Sequence, residues 1–102
     1  MEKTKKAIVF TRGDNETEQK LLCYFYASDN NIDVLFDTND IDKVVNCEEC
    51  DIMLVVKASR ISRNASEYYQ ISKALKARGI EIVFTSTAEN SERLINFMRM
   101  KL

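Results

Sequence analysis

The sequence predicts an α/β domain built on a four-stranded, mainly parallel sheet flanked by helices in three layers. Three observations carry this. Four short apolar runs rich in β-branched residues recur along the chain, each with the length and composition of a strand covered on both faces. Between them lie segments with helical apolar spacing or helix-capping patterns. Strand and helix alternate, the pattern of a parallel sheet joined by right-handed crossovers. No proline, internal repeat, low-complexity tract or linker marks a second domain, so residues 1–102 are read as one unit with one core.

Lys6 to Thr11 (KAIVFT) is the first strand, and Arg12-Gly13-Asp14 sits at its carboxyl end. Asn15 with Glu18 is an N-x-x-E capping pattern, and the helix it starts carries Leu21, Leu22, Phe25 and Tyr26 on one side. Ile32 to Phe36 is the second strand, with Asp37 at its end; Asp40 to Asn46 has room for only a turn or two of helix. The third strand lies in Asp51 to Val56. A second N-x-x-E pattern, Asn64 with Glu67, opens a helix carrying Tyr68, Ile71, Ala74 and Leu75. Gly79 suits the left-handed position past that helix, and Ile80 to Thr85 is the fourth strand. Asn90 or Ser91 is expected to cap a last helix whose Leu94, Ile95, Met98 and Leu102 form an apolar side. The expected core is Ile8, Val9, Leu35, Leu54, Val55, Ile82 and Val83.

A net charge of −1 does not give the basic footprint of a dedicated nucleic-acid binder, so any DNA contact must come from a local patch. No apolar run approaches the length of a membrane span, and no secretory signal pattern is present, so a cytoplasmic protein with no membrane partner is expected. Cys47-Glu48-Glu49-Cys50 has zinc-knuckle spacing. The only other thiol is Cys23 and the chain has no histidine, so the ligands of a four-coordinate site are not supplied. A redox CxxC follows a strand and opens a helix, whereas this one precedes a strand. The cysteines are read as structural, with no metal or cofactor. Lack of histidine also removes the commonest general base.

The chemistry-bearing stretch is Asp51 to Arg63, where a buried-strand run leads straight into Lys57, Arg60 and Arg63. Ligands of parallel sheets bind at the carboxyl ends of strands. Cations placed there, ahead of a helix whose first N–H groups are unpaired, suit a phosphate. A solvated basic loop is the alternative reading.

Together, the strand ending in Phe10-Thr11-Arg12, the strand ending near Asp37 and the segment Val55-Val56-Lys57-Ala58-Ser59-Arg60-Ile61-Ser62-Arg63 resemble the N-terminal catalytic domain of the serine site-specific recombinases, the resolvase and invertase family. The similarity covers nearly the whole chain. The resemblance implies DNA strand cleavage and rejoining through a phosphoserine link, with arginines neutralising the phosphate in the transition state. It implies that Arg12 matches the first-motif arginine, Lys57 the lysine, and Arg60 and Arg63 the paired arginines. Asp37 matches an acidic residue after the second strand.

The chain departs from the family pattern at decisive places. Asp14 stands at the nucleophile position, where it is expected to repel a phosphate and pair with Arg12. Ser59 stands at the acidic position before the paired arginines. Asp37 to Asp51 is too short for the family's mobile loop, and Lys43 is its only cation. With the sequence running to Leu102, neither the long helix nor the C-terminal DNA-binding domain of a recombinase is expected here. The leading expectation is a non-catalytic binding or regulatory domain that contacts DNA phosphates weakly through Arg12, Lys57, Arg60 and Arg63. It is expected to associate with itself or a related recombinase through Leu94, Ile95, Met98 and Leu102. Two alternatives stand beside it: an active recombinase with Ser59 as relocated nucleophile, and an unrelated α/β domain that binds a phosphorylated ligand.

Overall fold

In the computed structural model, which describes residues 4–86, each apolar run becomes a strand and the segments between them coil. The order is β1 (Lys6–Phe10), α1 (Glu16–Asp29), β2 (Asp33–Thr38), α2 (Ile41–Val45), β3 (Ile52–Val55), a 3-10 turn (Ala58–Arg60), α3 (Ala65–Ala77) and β4 (Glu81–Phe84). The expected last helix, with Asn90 or Ser91 as its cap and Leu94, Ile95, Met98 and Leu102 on its apolar side, lies outside the described residues.

The four strands form one sheet in the order β2-β1-β3-β4, and all pairings are parallel. The first crossover moves from β1 to one side, and the next two move to the other. With a common hand, such crossovers must cover opposite faces, and the core divides accordingly. Alternate strand residues Ala7, Val9, Ile52, Leu54 and Val56 pack with Cys23 and Ala27 of α1. Ile8, Phe10, Met53 and Val55 pack with Val44 of α2 and with Ile61, Leu75 and Ile80 around α3. Three layers result, with both faces of β1 and β3 buried.

The edge strands account for the differences from the expected core. Ile8, Val9, Leu54 and Val55 are buried, but Leu35, Ile82 and Val83 are only half-buried, because among the described residues β2 and β4 have a neighbouring strand on one side only. In β2 the register against β1 steps from Ala7↔Val34 to Ile8↔Phe36, leaving Leu35 as the extra residue of a bulge. The strand also runs further than the sequence indicates, so Asp37 lies within it and Thr38 ends it.

Both long helices stop in the same way. Past α3, Gly79 takes φ 75°, and Ile80 N–H donates to the Leu75 carbonyl at 2.9 Å while Gly79 N–H donates to that of Lys76 at 3.0 Å. Past α1, Asn31 takes φ 55° and Ile32 N–H donates to the Ala27 carbonyl at 2.9 Å. A left-handed residue followed by an apolar one, Ile80 buried and Ile32 half-buried, turns the chain sharply into the next strand. Such tight returns put all the strand-to-helix loops at one end of the sheet.

Candidate functional site

Because β2 and β3 lie on opposite sides of β1, the loops leaving the carboxyl ends of β1 and β3 diverge and open a crevice between them, the usual ligand position of such sheets. It is an open cleft of about 410 Å³ lined by Arg12, Gly13 and Asp14 from the first loop and by Ser59, Arg60, Ser62, Arg63, Asn64 and Glu67 from the second. Arginines far apart in sequence therefore meet in one cavity.

The first loop is fixed by a residue that motif reading passes over. Gln19, on the inner side of α1 and buried, accepts from Arg12 N–H at 3.1 Å and donates to the carbonyls of Arg12 at 3.0 Å and Asp14 at 2.8 Å. Buried polar side chains need such partners. A sequence signal existed: Gln19 is four residues before Cys23, on the stripe that faces the sheet, where an amide is out of place unless it bonds to backbone. The expected Asn15 cap is not formed. Asn15 sits in the left-handed region at φ 62° and ψ 42°, with no side-chain capping bond, because Gln19 holds the loop in a course that denies Asn15 the extended conformation of a cap. At α3 the pattern holds: Asn64 is extended and its side chain accepts from Glu67 N–H at 3.1 Å.

The Arg12 carbonyl also links the two loops. Arg60 Nη1 donates to it at 3.3 Å, lying so close over Gly13 that a Cβ there would meet Nη1 at 2.8 Å. Gly13 has φ +83°, a conformation costly to other residues, so the turn accounts for its identity, while the mobile end of Arg60 could shift to admit a Cβ. Arg60 Nε is enclosed with no hydrogen-bond partner among the described residues. Arg12 reaches the other way: its Nη1 donates to the Ile61 carbonyl at 3.0 Å and stands 3.5 Å from Glu67 Oε1. The expected Arg12–Asp14 pair is thus replaced by Arg12–Glu67. Gln19 fixes Asp14 through its backbone, and the Ile61 carbonyl draws the guanidinium towards α3.

Arg63 is exposed in the cleft and has no ion pair among the described residues. Lys57 does not line it. It is extended, at φ −161° and ψ 165°, one residue before the chain turns, and lines a separate groove with Asn15, Glu18, Gln19, Leu22, Val56, Arg60 and Ser86. Arg60 borders both. Ser62 Oγ is engaged with Asn64, donating to its carbonyl at 3.2 Å and accepting from its N–H at 3.0 Å. Asp37 is held by α1, accepting from Tyr24 Oη at 2.9 Å and lying 3.2 Å from Lys20 Nζ. Burial, then the Asp37 contact, pushes the Tyr24 phenol up.

Two of the thiols, Cys23 and Cys50, belong to the core, and Cys47 is half-buried. Cys23 is fully buried beside Thr85 Oγ1 at 3.5 Å, and burial pushes it up to about 11. Cys50 donates to the Ile52 carbonyl at 3.0 Å, and burial raises it also. Neither supplies a thiolate at neutral pH. Among the described residues no cluster of three acidic or cysteine side chains could hold a metal, and no helix is long and apolar enough to cross a membrane.

Comparison with known proteins agrees with this geometry. No curated protein sequence matches the chain. The crystal structure of the C-terminal catalytic domain of ISC1926 TnpA, an IS607-like serine recombinase, superimposes with a TM-score of 0.70 over 93% of this chain and 79% of that one, at 16% identity, and so shares its fold. The family described as the resolvase N-terminal domain matches residues 11–100, a span that contains every residue of the arginine cleft. The chain belongs to the resolvase N-terminal domain family.

Proposed function

We propose that this domain binds a phosphate of a nucleic-acid backbone in the cleft between β1 and β3 without cleaving it. The observation that carries the reading is that Arg12, Arg60 and Arg63 converge on one cavity, which Asp14 also lines; by the motif resemblance, Asp14 takes the position of the family's serine. Guanidinium groups suit phosphate oxygens by charge and by fork geometry. Arg60 is pre-set by the Arg12 carbonyl, which its Nη1 reaches across Gly13. Lys57, in the adjoining groove, adds to the field and not to the cradle. Cleavage needs an activated hydroxyl within reach of the phosphate, and a carboxylate at Asp14 supplies none.

A second reading has one observation in its favour: Ser59, an exposed hydroxyl, lines the same cleft beside Arg60. In that case Ser59 replaces the missing nucleophile. Association with itself or a related recombinase through Leu94, Ile95, Met98 and Leu102 belongs to the leading reading, and sedimentation as a monomer at high concentration removes that part of it.

Titration of the full chain with duplex oligonucleotides, with salt varied, tests the main proposal. Binding is expected to be weak and independent of sequence, to fall steeply with salt in proportion to the few phosphates neutralised, and to vanish in the Arg60→Ala, Arg63→Ala double variant. Denaturing electrophoresis of the same mixtures should show no protein–DNA adduct. An adduct formed by the unaltered chain and lost in Ser59→Ala overturns the non-cleaving reading.

A further inference from the structure

The arginine cleft already contains an anion of its own. Glu67 projects from the first turn of α3, and its carboxylate stands 3.5 Å from the Arg12 guanidinium, with both side chains about half exposed. Its place there is built in: Asn64 caps the Glu67 backbone N–H, fixing that first turn, while the Ile61 carbonyl brings Arg12 across the cleft. We propose that Glu67 is the affinity-determining residue of this cleft, an internal competitor that sets its charge beside Arg12 against an incoming phosphate. The inference rests on the phosphate-binding reading above and deepens it.

The charges in the cleft give the reason. Three guanidiniums face the carboxylates of Asp14 and Glu67, so the empty cleft carries a single net positive charge. A phosphate that engages all three arginines must either displace the Glu67 carboxylate or share Arg12 with it, while one that meets Arg60 and Arg63 alone is repelled by a carboxylate beside them. Either way the carboxylate weakens anion binding. Asp14 lines the same cleft but makes no ion pair with any arginine there, so its effect is one of general repulsion only. Glu67→Gln keeps the side-chain length and leaves the backbone cap from Asn64 in place.

The experiment uses inorganic phosphate and a short duplex oligonucleotide as probes, followed by chemical shifts of the full chain at low salt, for the unaltered protein, Glu67→Gln, Asp14→Asn, and both Glu67 states in an Arg12→Ala background. Glu67→Gln should tighten binding by about two- to fivefold, the range expected for release of a half-exposed ion pair. The gain should exceed that of Asp14→Asn, shrink at high salt, and disappear when Arg12 is absent. An equal gain from Asp14→Asn, or one that persists in Arg12→Ala, makes Glu67 merely one more negative charge and overturns the inference. So does unchanged affinity in Glu67→Gln. If instead no folded variant binds either probe, the phosphate-binding reading itself falls. Binding that is lost in Arg60→Ala, Arg63→Ala yet indifferent to Glu67 leaves that reading standing and removes only the competitor.

Discussion

The two helices that border the arginine cleft open with the same pattern, Asn-x-x-Glu, and only one of them uses it. At α3, Asn64 is extended, at φ −94° and ψ 120°, and its side chain accepts from Glu67 N–H. At α1, Asn15 is left-handed, Glu18 lines the groove beside Lys57, and the loop is tied instead by the side chain of Gln19. A capping bond contributes about 1 kcal/mol. The three bonds made by a buried amide outweigh it, and they dictate the path that the cap would otherwise have chosen. Local motif and tertiary contact thus compete at each strand end, and the first loop, where Gly13 must also pass under Arg60, is decided by the tertiary contact.

The strongest way to break the comparison is to remove the tie. Gln19→Leu preserves bulk but leaves Arg12 N–H and the Asp14 carbonyl without their buried partner, a loss of about 2 to 6 kcal/mol at roughly 1 to 3 kcal/mol per orphaned group. Urea unfolding would measure it. The loop should also lose its course, so phosphate binding in the remaining folded protein should weaken although no arginine has changed. A Gln19→Leu variant as stable as the parent would mean that the amide contributes nothing net and that some other contact sets the first loop.

Next in size is Asn64→Ala. It deletes a side-chain acceptor from the start of α3 and should cost about 1 kcal/mol in the same unfolding assay. A loss well below this would place Asn64 on a level with Asn15 and dissolve the contrast.

The same competition explains what could be read from the chain. The strands of the sheet centre were legible because β1 and β3 are buried on both faces and must be apolar throughout, whereas Leu35, Ile82 and Val83 were expected too deep because no pattern marks a strand as an edge or announces the bulge in β2. Arg60 and Arg63 were legible together, since both lie in the short segment between the end of β3 and the start of α3, and both line the cleft. Lys57 was not separable from them in sequence: it is the last extended residue before the turn, and that one step places it in the neighbouring groove. The partner of Arg12 was also hidden. Asp14 is near in sequence, but the contact goes to Glu67, 55 residues on, because a carbonyl of the second loop draws the guanidinium away.

The smallest effects give the sharpest test, since one substitution can be made at both asparagines. Serine is as good a cap as asparagine in extended backbone, so Asn64→Ser should stay within about 0.5 kcal/mol of the parent. At position 15 no capping bond exists to be preserved, and the backbone stands at φ 62°. There asparagine is tolerated because left-handed geometry suits it better than most residues, and a serine should meet a penalty of about 1 kcal/mol. Asn15→Gly provides the complement: freed of the left-handed strain but looser when unfolded, it should lie within about 0.5 kcal/mol of the parent. Capping chemistry ranks serine above glycine, and left-handed geometry ranks glycine above serine. If position 15 prefers serine, the first loop is capped in solution after all, and Gln19 has been credited with a choice that Asn15 makes.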